Sequence, residues 1–189
     1  MGVEDLDYVD QLIAQWRRQR PALDVSTMGV IGRISRLSRL LERQIEEVFA
    51  AHGLQGGRFD VLAALVRAGE PHRLTPTQLY NSLLVSSGAI TNRIDHLVDE
   101  RLVTRGADVS DRRSMPVQLT DAGRDRLDEA LIAHLKNEEE LIAAVEPGER
   151  ELLAHILRGW LIALGDQHHP VDAIDEAPGC HGKTGLADA

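Results

Sequence analysis

Residues 86–113 contain side chains whose chemistry suits contact with a nucleic acid. Asn92 carries an amide that can form two hydrogen bonds with the edge of an adenine. Arg112 and Arg113 follow Asp111 in a polar segment, and guanidinium groups bind phosphates and narrow minor grooves. Asp111 could hold one of these arginines in place. The other candidate DNA contacts lie near Asn92 and are Ser87, Gly88, Ala89, Thr91 and His96.

A pair of short helices is predicted to position Asn92. In the first helix, Thr75 suits the N-cap, Pro76 suits the first helical position, and Gln78 completes a capping box. This helix is expected to end near residue 84. A turn at 85–87, with Ser86 as a suitable cap, leads into a second helix that runs to about residue 100. Two short helices joined by a tight turn form a helix-turn-helix pattern.

The second helix has one apolar and one polar face. Its predicted inward residues recur at helical spacing and are Ile90, Ile94, Leu97 and Val98. The outer face then carries Asn92 together with Gly88, Ala89, Asp95 and His96. Small residues at the leading end allow close approach of the backbone to phosphate. A solvated polar face would show the same pattern, so both interpretations of Asn92 stay open.

Two short apolar runs, 102–105 and 117–119, flank a polar and basic segment and predict a β-hairpin. A helix-turn-helix followed by such a hairpin forms a winged helix. In that arrangement the second helix enters the major groove. Arg112 and Arg113 would lie at the wing tip, where they suit a minor-groove or phosphate contact. Simple solvation of the hairpin is the alternative for Arg113.

The fold class is therefore predicted to be mainly α: a winged helix-turn-helix with a small β-hairpin wing, long dimerisation helices and an extra N-terminal helix. We expect a single domain at 1–165, with the added helix at 5–20, dimerisation helices at 26–54 and 121–165, and a DNA-binding lobe at 55–120. The helical spans themselves are predicted at 5–18, 26–52, 55–68, 121–144 and 147–164. Residues 166–189 lack periodicity and are predicted to be a disordered tail.

The long helices favour a symmetric homodimer, because their apolar stripes exceed what one small winged lobe can cover. Two recognition helices would then lie about one DNA turn apart and select a pseudo-palindromic site of double-stranded DNA.

Composition limits the remaining classes. The chain has 189 residues, of which 43% are hydrophobic, and a formal net charge of −9. Residues 125–189 hold 14 acidic and 5 basic residues, whereas residues 73–124 hold 6 acidic and 7 basic ones, so the net charge does not exclude DNA binding by the middle of the chain. No apolar run approaches the ~18 residues of a membrane span, and no secretory signal is evident. With a single cysteine, this predicts a cytoplasmic protein without membrane association.

Residues 74–123 resemble the MarR family of winged-helix transcriptional regulators. The resemblance rests on the helix-turn-helix, the Asp111-Arg112-Arg113 wing tip and the run LTDAG at 119–123. In element order it extends over about residues 26–165. It implies an obligate dimer and repression that a small ligand relieves. The added N-terminal helix and the segments LDVSTMGVIGRISRLSRLLER and LYNSLLVSSGAITNRIDHL are similar to the urate-responsive, PecS-type branch of the family.

The branch resemblance implies four ligand-binding residues: Trp16 on the added helix, Asp60 before the helix-turn-helix, Arg93 on the recognition helix and Arg105 at the start of the wing. Urate is a planar anion that an arginine can bind through two parallel hydrogen bonds, a carboxylate can accept from its N–H groups, and a Trp can cover its face. Structural roles remain the alternatives: Trp16 in a core, Asp60 and Arg93 as a salt bridge, Arg105 as a phosphate contact. Citrate- or aconitate-type anions suit the same arginines. No cofactor beyond the effector is expected.

Other functions fit the residues less well. A redox sensor would depend on Cys180 alone, without a predicted cationic pocket. A metal-responsive regulator would use His168, His169, Cys180 and His181, whose spacing matches no closed metal site. An enzyme is not expected, since the sequence lacks the common nucleophile, metalloprotease and phosphate-loop motifs. A dimeric interaction module that does not bind DNA is the alternative from a different class.

Overall fold

The computed structural model describes residues 6–83, 87–106 and 115–166. Within these ranges the chain is mainly helical with one small antiparallel sheet, which confirms the predicted fold class. The elements are α1 (Tyr8–Gln19), α2 (Met28–Ala51), α3 (Arg58–Arg67), β1 (Arg73–Leu74), α4 (Pro76–Leu83), α5 (Ser87–Asp99), β2 (Val103–Arg105), β3 (Val117–Leu119), α6 (Asp121–Leu141) and α7 (Pro147–Ala163). Of the helices described, none is long and apolar enough to cross a membrane.

The capping signals in the sequence define the starts of α4 and α6. The Thr75 hydroxyl accepts a hydrogen bond from the Gln78 amide at 3.2 Å, and the Gln78 side chain accepts one from the Thr75 amide at 2.8 Å. This reciprocal pair is the predicted capping box. At the start of α6, the Thr120 hydroxyl accepts from the Gly123 amide at 3.0 Å. Each cap satisfies backbone groups that the first turn of a helix leaves unpaired.

Three predicted helix bounds need correction. α1 begins at Tyr8 rather than near residue 5, after its N-cap Asp7, and α3 begins at Arg58 rather than near residue 55, after the left-handed Gly57. α6 ends at Leu141 rather than near residue 144. A turn closes there through a 2.9 Å bond from the Val145 amide to the Ile142 carbonyl, and Pro147 then starts α7 as predicted. Gly53 ends α2 with a φ of +72°, a left-handed conformation that glycine adopts at little cost.

The apolar core lies where α3, α4, α5 and the sheet meet. Leu62 and Leu65 of α3, Leu79 of α4 and Leu97 of α5 are fully buried. Burying each such leucine contributes roughly 1.5–3 kcal/mol relative to an exposed side chain. Phe49 of α2 also packs into this cluster, so the long helix and residues 58–119 share one core.

The sheet has three strands in the order β1-β3-β2, both pairs antiparallel. Sequence analysis predicted β2 and β3 but not β1. β1 has only two residues, and Arg73 and Leu74 are strand residues because they pair with Gln118 and Val117 of β3. Residues 107–114, which include the predicted wing tip, lie outside the described ranges, and so does all but the first residue of the predicted tail.

α1 packs on α2 through a small apolar cluster and an ion-pair network. Val9 and Ile13 are buried against α2. The Arg33 Nε and an Nη bond the Asp7 carboxylate at 2.8 and 3.1 Å, and the same Nη lies 2.7 Å from Asp10. Asp7 is also the N-cap of α1, accepting from the Asp10 amide at 2.9 Å. The start of α1 therefore depends on a residue of α2.

Candidate DNA-reading helix and anion site

Helix α5 is held by its apolar face and by an ion pair at its C-terminal end. Ile90, Ile94 and Leu97 are buried, as predicted for the inward stripe. Arg58, at the start of α3, donates from Nη1 to the Glu100 carboxylate at 2.7 Å, and the Arg58 side chain is only 14% exposed. The Glu100 side chain is 39% exposed, so solvent screens this charge-assisted bond in part.

The opposite face of α5 is open to solvent. Asn92, His96, Gly88 and Thr91 are exposed, and Ala89 is half-buried. The predicted DNA-contacting face is therefore available to an incoming duplex at most of its positions. The side chain of Ser87 and residues Arg112 and Arg113 lie outside what the structure describes.

Asp95, predicted on the outer face of α5, is joined to the base of the wing. An Nη of Arg105 donates to the Asp95 carboxylate, so the last residue of β2 is tied to the middle of the recognition helix. The Asp95 side chain is 53% exposed, which limits the stabilisation from this pair by solvent screening. Arg105 therefore has a protein partner in this state.

Arg93 is a half-buried cation of α5. Its Nη1 atom is buried and has no hydrogen-bond partner among the described residues. Its guanidinium lies against Gly57, the N-cap of α3, whose φ is +75°. A buried guanidinium N–H without an acceptor is costly, so this N–H is suited to donate a hydrogen bond to an incoming anion.

Asp60 lies near Arg93 without forming an ion pair with it in the described structure. The surrounding protein removes part of its hydration, which raises the pKa of the Asp60 carboxyl above its ordinary value. The positive charges of Arg93 and Arg67 act in the opposite direction, and the net shift is still upward. Perturbed pKa values occur both at binding sites and in structural charge networks, so the raised pKa of Asp60 makes it a candidate site residue.

The structure thus brings two of the four predicted ligand residues together. Trp16 is 46% exposed on α1, a helix that packs on α2. Arg105 pairs with Asp95 and is not among the charges that act on Asp60. Sequence analysis did not identify Gly57 as a contact of Arg93. The adjacent glycines 56 and 57, directly before α3, were the available signal.

Within the described residues, no group of His, Cys, Asp and Glu side chains could hold a metal ion. The chelating residues considered from the sequence, His168, His169, Cys180 and His181, lie outside the described ranges.

Together, the buried stripe, exposed polar face and adjoining antiparallel sheet define a winged helix-turn-helix protein. The MarR family model matches residues 52–114. The HTH-type transcriptional regulator PecS of Dickeya dadantii is 36% identical over 149 residues, which cover 79% of this chain and 90% of PecS. The HTH-type transcriptional repressor YetL of Bacillus subtilis is 27% identical over 71% of this chain and 80% of its own.

Among solved structures, Sco3205, a MarR family transcriptional regulator from Streptomyces coelicolor in complex with DNA, superposes with a TM-score of 0.66 at 21% identity. The match covers 77% of this chain and 94% of Sco3205. The chain belongs to the MarR family, and it is a DNA-binding transcriptional regulator.

Proposed function

We propose that this regulator is a homodimeric repressor that a small organic anion, such as urate, releases from a pseudo-palindromic operator. The observation that carries the proposal is the buried, unpartnered Nη1 of Arg93, which lies on the recognition helix itself. An anion bound there would contact the same helix that contacts DNA. Ligand and DNA would then oppose each other through one structural element.

The DNA side of the proposal depends on the exposed face of α5. A recognition helix enters the major groove with its N-terminal residues against the bases. Asn92 is exposed in the first half of α5, where its amide can pair with adenine through two hydrogen bonds. Arg112 and Arg113 would add wing contacts to the minor groove or phosphates.

The dimer is supported by apolar side chains that one chain leaves uncovered. α7 buries none of its 17 residues, and Ile156 and Leu161 are 54% and 51% exposed. Ile31 and Leu37 of α2 are each 53% exposed. Monomeric proteins rarely expose a contiguous apolar surface of this kind, and a two-fold symmetric partner covers it with an identical surface.

The anion side of the proposal is supported by the charges around Arg93. The guanidinium of Arg93 lies at the N-terminus of α3, where the helix dipole is also positive. The N-cap of α3 offers no side-chain acceptor, because it is Gly57. Asp60 provides negative charge in the first turn of α3, and the partial burial of its carboxyl raises the pKa of that group. A planar anion with N–H donors, such as urate, could bind Arg93 and donate to Asp60.

Operator release tests this function. Purified protein is titrated onto labelled DNA from directly upstream of its own gene at moderate salt, and urate is then added. Urate should reverse binding by the unmodified protein and by Arg43→Ala, which removes an exposed cation of α2, but not by Arg93→Ala. Release by citrate or aconitate but not by urate would replace the proposed anion. DNA binding that no such anion reverses would refute the effector proposal.

A further inference from the structure

Gly57 occupies a position that no other residue type could fill without moving Arg93. A Cβ atom added there would overlap the Arg93 Cζ and lie 2.5 Å from both of its Nη atoms. The φ of Gly57 is +75°, which also disfavours a side chain. The guanidinium of Arg93 therefore lies directly on the backbone at the start of α3.

This contact fixes the guanidinium by packing instead of by hydrogen bonding. The Arg93 Nη1 is buried yet has no acceptor among the described residues. A planar guanidinium binds an anion through parallel hydrogen bonds at a lower entropic cost when its plane is already oriented. The backbone of Gly57 is the surface against which that plane rests.

We propose that Gly57 is a positioning residue of the anion site, which holds the Arg93 guanidinium so that its unpaired Nη1 can bind the effector. The proposal rests on the proposed function for the identity of the site. It adds that the effector response depends on the absence of a side chain at position 57, which the four residues implied by the resemblance do not include.

The neighbouring Gly56 provides a matched control. Its φ is +67°, and a Cβ added there would meet nothing within 4 Å in the described part of the chain. Its amide donates to Glu46 at 2.6 Å, and an alanine keeps that donor. Gly56→Ala and Gly57→Ala therefore introduce the same methyl group and similar backbone strain, but only the second displaces Arg93. Because the displaced atoms are the far end of a flexible side chain, Gly57→Ala should still fold.

The first measurement requires no effector. The melting temperature is compared for Gly56→Ala and Gly57→Ala, each in the unmodified chain and with Arg93→Ala. Gly57→Ala should lower it more than Gly56→Ala, and this excess should disappear when Arg93 is removed. A carbon-13 titration of the Asp60 carboxyl should also differ in Gly57→Ala alone, since Arg93 is one of the charges that sets its pKa.

The second measurement is the urate concentration that releases half of the bound DNA. Gly57→Ala should raise it on the order of ten-fold or more, as expected for a lost charge-assisted bond, whereas Gly56→Ala should leave it unchanged. Equal behaviour of the two alanine variants in melting and in the Asp60 titration would overturn the proposal. If urate fails to act on the unmodified protein, the proposed effector is wrong, and the first measurement still decides whether Gly57 positions Arg93.

Discussion

A methyl group added at Gly123 is predicted to separate α6 from the base of the wing. Its Cβ would overlap the Leu102 carbonyl oxygen, and would lie 3.0 Å from the carbonyl carbon and 2.9 Å from Leu119 Cδ1. The Leu102 carbonyl is not free to turn away, because its oxygen accepts hydrogen bonds from the Thr120 amide nitrogen at 3.2 Å and from the Thr120 hydroxyl at 2.9 Å. In the run 119–123, Leu119 ends strand β3, Thr120 caps α6, and Gly123 allows the close backbone contact with Leu102.

The cost of Gly123→Ala follows from that geometry. Forcing a methyl group into a packed site costs about 1–3 kcal/mol, and here the obstacle is backbone. Weakening the hydrogen bonds of Thr120 would cost about 1 kcal/mol more. Alanine returns roughly 0.5–1 kcal/mol of helix propensity. The net loss is about 1–3.5 kcal/mol, which lowers the melting temperature of a chain of this size by roughly 2–14 °C.

Thermal unfolding followed by circular dichroism, at one fixed protein concentration, measures this loss. The matched control is Gly148→Ala in the first turn of α7, where an added Cβ meets nothing within 4 Å in the described structure. The control should melt close to the unmodified chain. If Gly123→Ala melts like Gly148→Ala, the contact between α6 and Leu102 is not as close as described, and the explanation of the motif fails.

Three further predictions concern function and pH. Asp60→Asn should raise the melting temperature at pH 7. The pKa of the Asp60 carboxyl is raised in the folded chain, so the ionised carboxylate destabilises the fold at pH values above 3.8, its ordinary pKa. The gain should vanish as the pH falls towards that value, and a gain that is independent of pH would contradict this origin. Asn92→Ala should weaken operator binding by about 5- to 150-fold in a mobility-shift titration, and an unchanged affinity would remove Asn92 from the DNA contacts. The pKa of Asp7 is lowered by the Asp10 amide and then by Arg33, so its contribution to α1 docking is present above pH 3.8 and lost in stronger acid. Trp16 fluorescence in a Trp160→Phe chain should report this loss, and an identical acid profile in Asp7→Asn would contradict it.

Local chemistry made much of the DNA-binding lobe predictable from sequence. The capping box of Thr75 and Gln78 lies within four residues, and the buried stripe of α5 within one helix, so neither depends on distant parts of the chain. β1 could not be predicted in this way. Arg73 and Leu74 become a strand only by pairing with a segment more than 40 residues further on.

The candidate site was predictable in part for the same reason. The periodicity of α5 assigned Asp95 to the outer face, but no local pattern indicates that Arg105 would bind it there. The contact between Gly57 and Arg93 joins residues on different helices, and it depends on the left-handed backbone at Gly57. Charge and periodicity place side chains on faces of a helix, whereas tertiary packing decides which faces meet.

The ion pairs of α5 and the unpaired Nη1 of Arg93 indicate where an anion would act on the helix that contacts DNA. Glu100, just after the C-terminal end of α5, bonds Arg58 of α3, and Asp95 bonds Arg105 of β2. Arg93, the central residue of α5, has an Nη1 with no hydrogen-bond partner among the described residues. An anion that binds Arg93 would act at the middle of the helix, next to Asn92. We expect a small displacement there to misalign the DNA contacts while the packing of Leu97 is kept.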